Sequence, residues 1–237
     1  MNVAAGAVVA AMVPIQVDSA DPAAPLLAKP PRWHLFFGFD GAEESLFGHD
    51  GLVWAPAGHL HETGWRLRAG SSAGVHTYRS AGRRFTGELY TLELLGGFQW
   101  LTPVSGFAVY AGPVVQDASS DPRDPDRPRQ GTRFGAKLKL EGWYRPADGV
   151  YFNLSGQYAS AAQTYAVRFA PTLEISPRWA LEPEVAAFGE PGHDARRAGL
   201  IVEFRLSERW RLRAGGGWRT DSDENGSYAT VEMKIWR

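Results

Sequence analysis

Residues 165–175 read Tyr165-Ala166-Val167-Arg168-Phe169-Ala170-Pro171-Thr172-Leu173-Glu174-Ile175. The odd positions are apolar or proline, and the even positions carry alanine, arginine, threonine and glutamate. Successive side chains of an extended chain point to opposite faces, so this stretch reads as a strand with one apolar and one polar face. Working outward, Leu200, Val202, Phe204 and Leu206 alternate with Ile201, Glu203 and Arg205. Trp210, Leu212, Ala214, Gly216 and Trp218 alternate with Arg211, Arg213, Gly215, Gly217 and Arg219. Residues 134–144 and 150–158 repeat the split, and from Trp33 onward a 3.6-residue period is nearly absent.

Turn signals divide the chain into twelve predicted strands: 33–41, 46–55, 63–79, 84–101, 105–116, 131–145, 149–160, 163–176, 179–190, 195–206, 209–220 and 227–237. Four connectors read as tight turns, at residues 102–104, 145–149, 176–178 and 207–209, and residues 56–62 form a longer one on the same side. Between them fall polar loops at residues 117–131, 190–194 and 221–226. A weak echo, Ile175-Ser176-Pro177-Arg178-Trp179 against Leu206-Ser207-Glu208-Arg209-Trp210, marks hairpin turns followed by a strand-opening aromatic.

The 237 residues include 27 glycines, nine tryptophans and no cysteine, with a formal charge of −1. Such a balance lacks the basic field of a nucleic-acid binder, and nucleic acid is not an expected partner. The absence of cysteine removes disulfide scaffolds, thiolate metal sites and cysteine nucleophiles. Residues 1–24 open with an uncharged, small and apolar block and are expected to be an export signal, although its basic leading region is missing. Residues 25–32 form a proline-rich linker, and residues 33–237 a single domain.

Alternation alone fits a soluble sandwich or lipocalin-like barrel with its apolar face inward. An even strand number, short turns on one side, an export signal and a strand pattern running through Trp236 favour an antiparallel transmembrane barrel of the bacterial outer membrane, its apolar face against lipid. Trp33, Trp54, Trp65, Trp100, Tyr144, Trp179, Trp210, Trp218 and Trp236 lie near strand ends, as interfacial girdles do. The charged face then lines the lumen: Arg66, Arg68, Glu93, Lys137, Lys139, Glu141, Arg168, Glu174, Glu182, Glu184, Glu203, Arg205, Arg211, Arg213, Glu232 and Lys234, with Tyr110, Trp143 and Tyr151 able to stack on sugar rings. Twelve strands fall between filled eight-stranded barrels and open sixteen-stranded pores. These groups therefore either pair to fill the lumen or form a polar ladder for a hydrophilic solute or glycan.

Three short motifs carry weaker signals. Residues 221–226 with Glu232 match the spacing of a calcium-binding helix–loop–helix, but their flanks read as strands, which puts Glu232 about 17 Å from the loop at ~3.4 Å per residue. An acidic surface loop is expected. Gly70-Ser71-Ser72-Ala73-Gly74 matches a nucleophile elbow without the helix that must follow it. His59-Leu60-His61 lacks a third ligand and reads as a solvated turn, and His193-Asp194 as a surface loop. No catalytic residue, metal site or cofactor is assigned.

Phe36-Phe37-Gly38-Phe39-Asp40-Gly41, residues 47–56 (FGHDGLVWAP), Trp65-Arg66-Leu67-Arg68-Ala69-Gly70, Gly96-Gly97-Phe98 and Gly112-Pro113 together resemble the BcsS family of cellulose biosynthesis proteins. That resemblance implies a non-enzymatic accessory protein of bacterial cellulose synthesis at the outer envelope. Its partners would be membrane lipid, cellulose or another glycan, and subunits of the cellulose synthase complex. It implies no defined catalytic residues. The competing expectations are a porin for small hydrophilic solutes and, behind it, an outer-membrane lipid hydrolase, for which no serine or histidine pair at a lipid-facing rim is identified. Outer-membrane fractionation with heat-modifiable gel migration is the expected behaviour, and recovery as a soluble periplasmic monomer would refute the barrel.

Overall fold

The computed structural model describes residues 30–237 except 81, 124–129, 192 and 222–224. The export signal and most of the linker expected at residues 1–29 lie outside the described residues, as does the centre of the acidic 221–226 loop. Twelve strands form among the described residues: β1 (Trp33–Ala42), β2 (Ser45–Trp54), β3 (Gly64–Ser80), β4 (Arg83–Leu101), β5 (Ser105–Asp121), β6 (Gly131–Ala147), β7 (Val150–Ala159), β8 (Thr164–Ser176), β9 (Trp179–Glu190), β10 (His193–Ser207), β11 (Trp210–Asp221) and β12 (Asn225–Trp236). Each pairs antiparallel with its sequence neighbours, and β1 closes on β12 from His34↔Trp236 to Ala42↔Tyr228. Closure leaves no sheet edge, so the backbone groups of every strand have partners within the ring.

Alternation sets the two faces of the wall. On β8, Phe169 is 40% exposed outward while Arg168, one residue earlier, is 3% exposed inside. Outward apolar side chains continue around the ring, from Leu35 and Phe37 through Leu92, Leu138, Leu154 and Val185 to Val231. Near the end where β1 begins, called here the terminal end, Trp54, Trp65, Trp100, Tyr144, Trp179 and Trp210 form an exposed girdle. Toward the far end, Tyr90, Tyr158, Tyr165 and Trp218 form another. From Tyr165 to Ile175 the chain climbs about 26 Å along the axis, taking ~3.4 Å per residue and a tilt of ~40°. That matches the ~25 Å apolar band of an outer-membrane barrel.

The structure corrects several details of the sequence reading. Trp236 is buried inside the barrel rather than in a girdle, because it alternates with the outward Ile235. The loop expected at residues 117–131 is shorter, since β5 runs on to Asp121. There Thr132 donates to Asp117 (2.5 Å) and Ser119 to Glu88 (3.3 Å) on the outward face, and Gln130 donates to Ser120 (2.7 Å) on the other, so polar residues decorate both faces of a strand that has risen clear of the apolar band. The expected contrast between short and long connectors weakens accordingly, because at the far end only residues 43–44 separate β1 from β2, and β10 already begins at His193 after β9 ends at Glu190. His193 belongs to β10 and is buried, while the exposed Asp194 accepts a hydrogen bond from Tyr165 (2.6 Å).

Val167→Arg, in the middle of the outward band, is expected to lower folding stability by about 2–4 kcal/mol. Thr132→Arg, exposed beyond the band, should change it little, as urea titration in lipid vesicles would read.

Candidate functional site

The lumen is the candidate site, and its chemistry follows from registers. Glu203 lies opposite Arg213 across β10 and β11, and Arg213 opposite Glu232 across β11 and β12. Paired positions share a face, so charges at these places are forced together inside the barrel. Arg213 contacts both Glu182 and Glu232, the latter at 3.0 Å. Arg168 bridges Glu182 and Glu184, with its Nε 2.6 Å from the latter. Arg197 reaches Glu184 (3.0 Å) and crosses to Asp40 on β1 (3.2 Å), and the Tyr228 hydroxyl donates to Glu184 (2.6 Å). Gly199 makes room for that hydroxyl, since a Cβ there would stand 2.1 Å from it. His49 lies 3.6 Å from Asp40 and 3.8 Å from Glu232, tying β2 to the same network.

Nearer the terminal end, Arg211 pairs with Glu203 (3.3 Å) and lies over the Trp236 ring (4.8 Å). Arg205 contacts Glu174, and Lys234 lies 3.5 Å from Glu232. On the opposite wall, Glu93 sits between Arg68 (3.0 Å) and Lys137, and Lys139 pairs with Glu141 (2.9 Å). Tyr110, Trp143 and Tyr151 are buried on this wall among those groups. Gly70–Gly74, the stretch with the nucleophile-elbow spacing, lies within β3.

Part of the terminal mouth, on the side of β12 and β1 to β4, is covered by a segment whose sequence reads as a solvated turn. Residues 55–62 fold across it, with Ala55 and Leu60 buried beside Phe36, Val53 and Trp236. Arg66 holds the segment: its guanidinium donates to the carbonyls of His59 (3.1 Å), Leu60 (3.2 Å) and Glu62, and to the Gln99 side chain (3.1 Å). Gln99 in turn donates to the Leu60 carbonyl (3.2 Å). An arginine presents five donors in a fixed fork, which suits it to gather several carbonyls at once.

Toward the far end the filling is apolar. Phe47 and Leu89 pack with Ala166, Phe188 and Tyr228, joining walls on opposite sides of the ring. Phe47, His76, Tyr78 and Phe85 stack in sequence at 5.5–6.3 Å between centroids. Between these layers a small recess remains, with room for about one water molecule, bounded by Phe36, His49, Arg68, Thr91, Glu93, Lys137 and Gln157. Sequence reasoning missed Asp40, His49, Gln99, Arg197 and Tyr228 as members of the network. Their inward period-2 positions were the available signal, but each stands beyond the clear runs of alternation.

If the pairs fill the lumen, Arg213→Ala removes one partner each from Glu182 and Glu232, leaves the buried network one positive charge short with Arg168, Lys234 and His49 left to face those acids, and is expected to lower the melting temperature. An unchanged melting temperature with altered ion selectivity in planar bilayers would instead mean solvent-screened, pore-lining charges.

Solved structures similar to this chain are outer-membrane channels. The COG4313 outer membrane channel from Pseudomonas putida F1 superposes with a TM-score of 0.63 at 9% identity, covering 94% of this chain and all (100%) of that one. The CymD monoaromatic hydrocarbon channel gives 0.56 at 11% identity, over 95% of this chain and 93% of the other. A KdgM porin in complex with disordered oligogalacturonate gives 0.51 at 9%, over 85% and 98%. Identities this low establish a shared closed β-barrel fold, and with it an outer-membrane location is supported. Among curated proteins no sequence match is found. Residues 34–237 match the family described as cellulose biosynthesis protein BcsS, and the chain belongs to that family.

Proposed function

We propose that this protein is a non-enzymatic outer-membrane accessory of cellulose or related exopolysaccharide biosynthesis, acting in export or assembly. The observation that carries the proposal is the match of residues 34–237 to the cellulose biosynthesis family. The lumen agrees with a supporting role: ion pairs bridge strands up to three apart, an apolar cluster draws in strands from β2 to β12, and residues 55–62 cover part of its terminal mouth. None of these features suits a standing pore for a chain of sugars. In this reading the barrel anchors in lipid, its terminal end faces the periplasm where synthase subunits would dock, and glycan passes beside the barrel or through a rearranged lumen.

A second reading, a porin for small hydrophilic solutes, draws on the charged inner wall that carries Arg68, Glu93 and Lys137 and on the barrel fold shared with outer-membrane channels. Deleting the gene and measuring extracellular glucan and dye binding separates the two. The accessory role predicts lost or disorganised cellulose, and unchanged cellulose would sink it. In planar bilayers the wild type should conduct poorly, and Arg66→Ala, which releases residues 55–62, should raise the conductance. A freely conducting wild type would favour the porin.

A further inference from the structure

Charge is distributed differently on the two sides of the lumen. Around β8 to β12 and β1, among the described residues, the carboxylates of Asp40, Glu182, Glu184 and Glu232 meet an equal number of cations, Arg168, Arg197, Arg213 and Lys234. On β3, β4 and β6 one carboxylate serves two cations: Glu93 Oε1 takes Arg68 (3.0 Å) and Oε2 takes Lys137. The charges that act most on Lys137 are that one acid and two like charges, Lys139 and Arg68. Lys137 is buried, and a buried cation that shares its counter-charge is costly.

Lys137 and Arg68 border the small recess between the layers of the lumen, and Ser72, Thr91 and Gln157 border it with them. Ser72 stands opposite Thr91 across β3 and β4, and Gln157 reaches in from β7. These three are half-buried, and among the described residues none of their side chains has a hydrogen-bond partner. An ammonium has three protons, and Lys137 spends one on Glu93. Both oxygens of Glu93 are engaged, so the recess presents donors: ammonium protons, two hydroxyls and an amide. A fitting occupant accepts several hydrogen bonds, carries negative charge and is little larger than a water molecule.

We propose that this recess binds a single small halide ion, chloride in natural surroundings. Lys137 Nζ is the charged ligand, and the Ser72 and Thr91 hydroxyls and the Gln157 amide donate around it. Arg68, held by Glu93 and lying over the Phe36 ring (4.6 Å), contributes its field from the side. His49 borders the recess as well, but its nitrogens face Asp40 (3.6 Å) and Glu232 (3.8 Å), so it belongs to the neighbouring network. Phosphate, sulfate or a sugar acid would bring several oxygens into a space that holds about one. The bound ion would supply the negative charge that Glu93 divides between two cations, and would tie β3 and β4 to β6 and β7.

The full-length barrel in detergent micelles, melted in sodium gluconate and in sodium bromide at equal ionic strength, tests the site. A ligand of the folded state alone raises stability by mass action, so bromide should raise the melting temperature along a saturating curve. Thr91→Val, which removes one donor at nearly constant shape, should weaken the apparent bromide affinity about threefold or more. Lys137→Gln should abolish the bromide shift, whereas Lys234→Gln, outside the recess, should keep it. Crystals grown in bromide should show an anomalous peak within hydrogen-bond reach of Lys137 Nζ. A response that never saturates, a shift indifferent to Thr91→Val, or an ordered water in the recess with no anomalous signal would each overturn the proposal. None of these readouts depends on cellulose.

Discussion

A strand in hydrocarbon has no solvent to satisfy its amides and carbonyls, and the pairing of β1 with β12 is what removes that difficulty for the whole chain. The register from His34↔Trp236 to Ala42↔Tyr228 brings together the two ends of the domain, separated by some two hundred residues of sequence. Once it forms, every strand has two neighbours, and each side chain is committed to the lipid or to the interior. A slip of β8 by one residue would turn Arg168 toward lipid and Phe169 inward, and the same holds for each strand in turn, so pairing and facing are one decision.

The interior is then a place where charge is expensive unless matched. Arg168, Arg197 and Arg213 are shared among Glu182, Glu184, Glu232 and Asp40 rather than matched one to one. Such networks add little net stability over a well-packed apolar filling, because desolvation offsets most of the attraction. Their stronger effect falls on alternatives: a misregistered barrel would leave several of these charges without partners. A polar interior with an apolar exterior also reverses the usual order of a soluble domain while preserving the same period-2 code.

Much of this was legible in the sequence. The strand starts and the tight turns at residues 102–104, 176–178 and 207–209 stand close to where the structure has them, because proline, glycine and serine punctuate a strong alternation. Strand ends beyond the membrane were less legible. At Ser119 and Asp121 the pattern turns polar on both sides, and solvent removes the constraint that made alternation readable. The fold-back of residues 55–62 was not legible at all. His59-Leu60-His61 has the composition of an ordinary turn, and its partner Arg66 reads from the sequence as one more charge on an inner face. Only the third dimension shows one guanidinium collecting the carbonyls of His59, Leu60 and Glu62.

That covering segment is also fastened from the other direction. The Leu60 amide donates to the Pro31 carbonyl (2.8 Å), the Ala55 amide to the Arg32 carbonyl (2.8 Å), and the Arg32 guanidinium to the Pro56 carbonyl (3.1 Å). The approach to β1 and the covering segment are thus laced together by three bonds over a few residues. Tension applied to the chain ahead of Pro31 would reach Leu60 first, through the Pro31 carbonyl, and at Arg32 would be shared among Ala55, Pro56 and Arg237, which follows β12. Leu60 is therefore the first residue of the covering segment that a pull on the leading segment would load.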